Sequence, residues 1–271
     1  MTSWLTSGVL ATAAILDPLA DRYVSWLRRS AESTVDTSDE VPEQVRAMPM
    51  VLRIEKADPP SRSAVLAAAA SSAIAVCLDP LAAPGQPWHD EVHAWMCGRI
   101  RKVSRRARGA HWTAVQDMPG VTVAHGGAEV RSLLPGLVVE TPRVLSRLQI
   151  SGSELPEDEQ PPAPPEDVPV LWLNPDVAMT VGKAAAQVGH ATMLLAALLH
   201  ADGRDADLAD WAEAGFPCAV RKADRARWQN LHPADDPALA WKAKRVVAVR
   251  DAGFTEVDPG TITVITQWPA V

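Results

Sequence analysis

The sequence has little of what covalent catalysis, metal binding or membrane crossing requires. Three cysteines, Cys77, Cys97 and Cys218, stand far apart in 271 residues, with no Cys-x-x-Cys pair. That spacing suggests neither a disulfide framework nor a cysteine zinc site, and it is the usage of a reduced, cytoplasmic protein. No Gly-x-Ser-x-Gly elbow or paired Cys–His arrangement offers a covalent nucleophile. His89 and His93 sit four apart, a spacing that zinc can use. Asp90 follows His89 where the metalloprotease pattern has Glu, and only His111 and His125 remain as third ligands. We expect no metal and no cofactor. Apolar runs are short: Val9 to Leu16 has no basic segment before it and is stopped by Asp17-Pro18. It is too short for a membrane span and unlike a signal peptide. Two Phe and one Tyr accompany ten Trp, and six lysines accompany twenty arginines.

The net charge of −7 is unevenly spread. Residues 1–152 carry 16 basic and 15 acidic side chains, residues 153–168 carry six acidic and none basic, and residues 169–271 carry 10 and 12. The folded parts are therefore near neutral, and local basic patches remain able to bind phosphate. The acidic stretch interleaves its carboxylates with five prolines, which reads as a stiffened, extended linker. The chain divides into an arm (1–46), an α/β region (47–152), the linker (153–168) and a second α/β region (169–271).

The second region reads β–α–α–β–α–β–β, a layered α/β sandwich with one mixed central sheet. Strands are expected at Val170–Leu173, Cys218–Val220, Val246–Val249 and Ile262–Ile265. Helices are expected at Val181–Leu199, around Leu208–Ala214 and near Ala223–Leu231. The first region echoes this order. Val51–Ile54 parallels Val170–Leu173, and an Ala-rich helix at about Ser63–Leu78 follows. Trp112 with Val121–Val123 parallels Trp211 with Cys218–Val220. We expect a diverged internal repeat in which Ser63, Ala67 and Ala70 stand where the second copy has Lys183, Gln187 and His190.

Those three polar residues share one face of a small, apolar helix whose N-cap is Thr180. Free N–H groups at that helix start favour an anion or a developing oxyanion. Farther on, Asp251-Ala252-Gly253-Phe254-Thr255 ends one strand, and Pro259-Gly260-Thr261-Ile262-Thr263 turns into the next. A Gly-Lys-x-Ala-Ala-Gln-x-x-His-Ala helix start followed by an Asp-Ala-Gly-x-Thr-x-x-x-Pro-Gly-Thr-x-Thr end resembles the type 2 peptidyl-tRNA hydrolase family, over about residues 169–269.

The resemblance implies hydrolysis of the ester joining a peptide to tRNA, with the acceptor arm and its 3′ end as partner. It places Lys183, Gln187, Asp251, Thr255 and Thr263 around one pocket as catalytic residues, with His190 and Thr261 close by on the substrate side. Ordinary turn, strand and packing roles are the alternative for each, and for His190 packing is preferred. Phe254 stands where the family commonly has a basic residue, and Glu256 where it has glutamine. Both changes bear on phosphate attraction. The family typically forms homodimers, so the first region would stand in for a second subunit, making a pseudo-dimer in one chain. The rival function is a non-catalytic tRNA- or protein-binding module.

Two basic clusters add candidate backbone contacts. Arg99, Arg101, Lys102, Arg105, Arg106 and Arg108 read as one side of an amphipathic helix whose other side is Val92, Met96, Ile100, Val103 and Ala107. That helix is either simply solvated or a tRNA-contacting surface. Arg221 and Lys222 lie at a strand end.

Overall fold

Two alanine-rich segments dominate the interior, and the sequence caps both at their starts. Ser61 accepts from Ala64 N to open a helix over Arg62–Cys77, and Thr180 accepts from Lys183 N to open one over Val181–Ala201. Both are apolar nearly all round, the signature of a helix buried on every side. The computed structural model describes residues 8–9, 11–150, 154–158, 163–233 and 236–269. Numbering the principal elements, α1 is Asp17–Leu27, β1 Arg46–Arg53, α2 Arg62–Cys77, α3 His89–Cys97, β2 Arg101–Ala107, α4 Gly109–Gln116, β3 Gly120–His125 and β4 Ala128–Leu133. Then come β5 Val170–Leu173, α5 Val181–Ala201, α6 Asp205–Glu213, β6 Ala219–Lys222, α7 Arg225–Leu231, α8 Pro237–Lys244, β7 Val246–Arg250 and β8 Ile262–Gln267.

The first sheet has strand order β2-β1-β4-β3, with Gly136–Leu137 also pairing on β1. The second has β6-β5-β8-β7. In each, the first strand runs parallel to the second and antiparallel to the fourth, and the third and fourth are antiparallel. The expected α/β architecture with a mixed sheet is thus present, and the same strand order occurs in both regions. The helix α8 is additional to the expected elements.

The sheets are joined through α2 and α5. Thr192 Oγ1 donates to Ala70 O across them at 2.8 Å. A Cβ on Gly189 would lie 3.1 Å from Ala73 Cβ, so the small residues permit close approach. Contacts are reciprocal, since α5 also packs on β2 and α2 on β6, strands at equivalent places in the two sheets. One large apolar core runs through this seam, including Leu66, Ile74, Leu195 and Leu199. Each fully buried leucine contributes about 1.5–3 kcal/mol. By length and composition α5 is apolar enough to cross a membrane, yet 78% of that apolar window is buried inside the protein. Smaller clusters around Trp112 and Trp172 lie on the other side of each sheet.

The structure corrects three expectations. The basic run is not a helix. α3 ends at Cys97, Ile100 takes a left-handed φ of 46°, and Arg101–Ala107 pairs in parallel with Ala47–Arg53. Apolar residues at helical spacing had spanned two different elements. As an edge strand, β2 uses its charges to discourage pairing with other chains. Second, Val121–Val123 lies in β3, the topological equivalent of β7, whereas Ala219 and Val220 of the segment Cys218–Val220 lie in β6. The local geometry around Trp211 is matched at Trp95, not at Trp112. Trp95 Nε1 donates to Arg101 O at 3.0 Å and Trp211 Nε1 to Pro217 O at 2.9 Å, both six residues ahead. Ile100 and Phe216, five residues after each Trp, both have positive φ. Third, the linker is not wholly extended. Leu155 is buried, Asp158 accepts from Arg62 N and Ser63 N, and Glu157 pairs with Lys222; residues 153 and 159–162 lie outside the described residues.

The arm docks on the second sheet, far away in sequence. Tyr23 Oη accepts from Ala248 N at 3.0 Å, and Trp26 Nε1 donates to Arg250 O at 3.1 Å. The Arg250 guanidinium returns bonds to Leu27 O and Arg29 O. This covers the edge strand β7.

Candidate active site

β7 runs antiparallel to β8, and β8 antiparallel to β5, so β5, β6 and β7 share one direction. Their C-terminal ends meet the start of α5, the usual place for a site in a sheet of this kind. The loop after β7 is pinned there by Asp251. Asp251 N donates to Thr261 O at 2.8 Å, and Asp251 O accepts from Gly260 N at 2.9 Å. Gly253 is required by the turn. Its φ is +86°, and a Cβ would lie 2.5 Å from Pro259 Cγ.

Five side chains expected at the site form one continuous network. Asp251 Oδ2 accepts from Lys183 Nζ at 2.6 Å and from Gln187 Nε2 at 2.8 Å, while Oδ1 accepts from Gly253 N at 2.8 Å. Thr263 Oγ1 donates to Gln187 Oε1 at 2.5 Å, which sets the orientation of that amide. Lys183 Nζ also donates to Thr255 Oγ1 at 2.9 Å. The Lys183 and Asp251 side chains are only 10% and 6% exposed. An ion pair so desolvated holds only because its remaining lone pairs are satisfied, as the Gln187 and Gly253 donors do here. Gln187 and Thr263 are buried behind the pair, and Thr255 is exposed at the mouth. Because Thr255 Oγ1 accepts from the lysine, its own proton points elsewhere. The arrangement therefore places a hydroxyl at the mouth with a largely buried cation just behind it, backed by a fixed carboxylate. That is equipment for steadying a carbonyl as it becomes an oxyanion and for orienting water.

The helix start is not a vacant anion site. Thr180 N and Oγ1 donate to the two carboxylate oxygens of Glu256, at 2.9 and 2.7 Å. Glu256 thus brings the anion that the N–H groups favour, and it clamps the site loop to α5. From the sequence, Glu256 was expected only to weaken phosphate attraction.

His190 and Thr261 stand outside the network. Thr261 Oγ1 donates to Asp258 O at 2.8 Å and supports the turn. His190 Nδ1 lies 2.9 Å from Lys102 Nζ, so the Lys102 side chain from β2 points inward against α5. The Lys102 Cε and Cδ lie 3.1 and 3.2 Å from where a Cβ on Gly189 would be, and its ammonium lies 5.1 Å from the Trp95 ring centre. Burial lowers Lys102 to about 7. Burial first, then the nearby Lys102, Lys183 and Arg22 charges, hold His190 well below the usual imidazole range.

Except for Arg108, the other basic candidates are engaged within the protein. Arg99 pairs with Asp39, and Arg101 makes two bonds to Glu40 at 2.5 and 2.6 Å. Arg105 donates to Leu148 O and Arg106 to Gln149. Arg108 is exposed. Arg221 donates to Val220 O, and Lys222 pairs with Glu157. Arg101 also lies 5.0 Å from the Phe254 ring centre, a contact between regions that no sequence spacing reveals. His89 and His93 stack at 5.6 Å, with His89 Nδ1 on Ala82 O. Among the described residues no group of three or more His, Cys, Asp or Glu gathers around a point that would hold a metal.

A family model for peptidyl-tRNA hydrolase PTH2 matches residues 168–271. A peptidyl-tRNA hydrolase of Methanopyrus kandleri is 36% identical over 99 residues, covering 35% of this chain and 77% of that protein. One from Pyrobaculum aerophilum is 39% identical over 102 residues, covering 37% of this chain and 82% of that protein. The matched segment contains the whole network.

Proposed function

Because the chain belongs to the peptidyl-tRNA hydrolase PTH2 family through residues 168–271, we propose that it hydrolyses the ester of peptidyl-tRNA or N-blocked aminoacyl-tRNA. The observation that carries this reading is the unbroken network from Thr263 through Gln187 and Asp251 to Lys183 and Thr255. In the reaction the ester carbonyl carbon gains the oxygen of water, its bond to the ribose oxygen breaks, and a water proton ends on the ribose hydroxyl. Lys183 and Thr255 steady the oxyanion, while Asp251, held by Gln187 and backed by Thr263, orients the water. The reading sets the protein in the cytoplasm with translation, in keeping with its three free cysteines. A non-catalytic binding module would have no need of so complete a network.

Incubating the protein with N-blocked aminoacyl-tRNA in ¹⁸O water tests the reading. Free tRNA and an acid labelled in its carboxylate are expected. Unchanged substrate at protein concentrations matching the tRNA would overturn it.

We infer that the N-terminal half is a diverged second copy, folded where a partner subunit would sit. Support comes from the shared strand order, the reciprocal helix–strand contacts and the paired Trp95 and Trp211 bonds. Aligning the two caps, Ser61 and Thr180, moves the expected register by one, so that Ala64 and not Ser63 stands where α5 has Lys183, and the two-residue turn Gly126-Gly127 replaces the site loop. A Cβ on Gly126 would lie 3.2 Å from Ala64 Cβ, so the turn closes the place where a site would open. A tRNA-contacting role is proposed for Arg106 at the end of β2 and for Arg108 just after it.

A further inference from the structure

Phe254 is one of two phenylalanines in the chain. The other, Phe216, is buried, whereas Phe254 is 44% exposed. It adjoins Thr255, whose hydroxyl touches the Lys183 ammonium. Its ring is met by the guanidinium of Arg101, 5.0 Å from the ring centre. That guanidinium is not loose. Glu40 grips it with two bonds at 2.5 and 2.6 Å, and Glu40 sits beside Arg99 as well. The loop below is equally fixed, by Asp251 and by the Glu256 clamp on Thr180. Single exposed apolar side chains are common on protein surfaces; this one is set apart by its place beside Thr255 and by the guanidinium against its ring. Its rigid mounting and cationic support suit an aromatic face held out for a flat, electron-rich partner.

We propose that Phe254, supported by Arg101 from the N-terminal half, is the stacking platform for the unpaired 3′-terminal adenine of tRNA. The inference rests on the hydrolase reading, which puts the ester beside Lys183 and Thr255. The adenosine carrying that ester is then the nearest base to residue 254. Unpaired bases are recognised by stacking on aromatic side chains and arginine planes. A stacking contact serves every peptidyl-tRNA alike, because the terminal base does not vary. Where a basic side chain would attract backbone phosphate, this chain grips the base instead, and the N-terminal half becomes part of the substrate site.

The test uses the full chain, with tRNA carrying 2-aminopurine in place of the terminal adenine, and tRNA lacking that nucleotide. Wild type and Phe254→Trp are expected to quench the 2-aminopurine on binding, and Phe254→Leu to lose the quench. Phe254→Leu is expected to weaken binding of intact tRNA roughly fivefold or more, with no change for the shortened tRNA. In turnover the same variant raises KM and leaves kcat within a factor of about two, since the network is untouched. Arg101→Gln is expected to act in the same direction, less strongly. Equal binding by folded Phe254→Leu and wild type would overturn the platform. So would Phe254→Lys binding intact tRNA as well as Phe254→Trp, which would mean that charge is what the position needs. These binding measurements do not depend on turnover, so an inactive wild type would count against the hydrolase reading alone.

Discussion

Lys102 Nζ and His190 Nδ1 lie 2.9 Å apart in the seam between the two halves. The charged or titratable groups bearing on them are Cys77 from α2, Arg22 from α1 and Lys183 from α5, none of them a carboxylate. Burial lowers Lys102 to about 7, against about 10.4 when unfolded. Between those values the unfolded chain binds a proton that the folded chain does not. Stability therefore rises with pH through that window, and the contribution is lost as pH falls toward 7. Urea midpoints of wild type and Lys102→Met at pH 7 and pH 8.5 check this. Wild type should gain stability over that interval relative to the variant; parallel behaviour would show that Lys102 is not desolvated.

Gly253 sets the site loop. With φ at +86° and Pro259 where a Cβ would go, Gly253→Ala should cost about 1–3 kcal/mol of stability and impair turnover by displacing Asp251. Gly203→Ala is the control. Its φ is +68° with nothing within 4 Å, so it carries a conformational cost alone. Thermal melts and kcat on both proteins give the comparison, and equal behaviour of the two variants would refute a special role for Gly253.

Glu256 joins the loop to α5 through both Thr180 bonds. Glu256→Gln keeps one acceptor and removes a charge that the helix start stabilises by about 0.3–1 kcal/mol. A small stability loss with tighter tRNA binding at low salt is expected. Binding measured at two salt concentrations decides it, and weaker binding at both would contradict the account.

How much was legible in the sequence follows from how local each signal was. The five side chains of the proposed site lie at a capped helix start and on the Asp251–Thr263 segment, two short motifs, and it was the resemblance of both motifs to one family that brought them together. The strand β2 was missed because Met96 and Ile100, on either side of a helix end, mimic a helical stripe with Val103 and Ala107. Only the positive φ of Ile100 and pairing with β1, more than fifty residues earlier, decide the outcome. Contacts across the halves, Lys102 to His190 and Arg101 to Phe254, had no local trace. In hindsight Gly189 in a helix interior was the one mark of a neighbour pressing there.

If the N-terminal half fills the place of a second subunit, the chain is monomeric, with the α5 face already covered by α2. Sedimentation equilibrium should return the mass of one chain. Gly189→Val, whose Cβ would lie 3.1 Å from Ala73 Cβ and Lys102 Cε, should cost about 1–3 kcal/mol by overpacking the seam. A stable dimer, or a variant as stable as wild type, would contradict this arrangement.

The most direct measurement is the rate of N-blocked aminoacyl-tRNA deacylation by wild type, Lys183→Ala and Asp251→Asn, with circular dichroism on each. Lys183 and Asp251 face one another at 2.6 Å, and in the proposed reaction removing either charge takes away a group that acts on the transition state. Each variant should stay folded and lose about 10²–10³-fold in kcat. Folded variants that turn over at the wild-type rate would show that the Lys183–Asp251 network is not the catalytic centre.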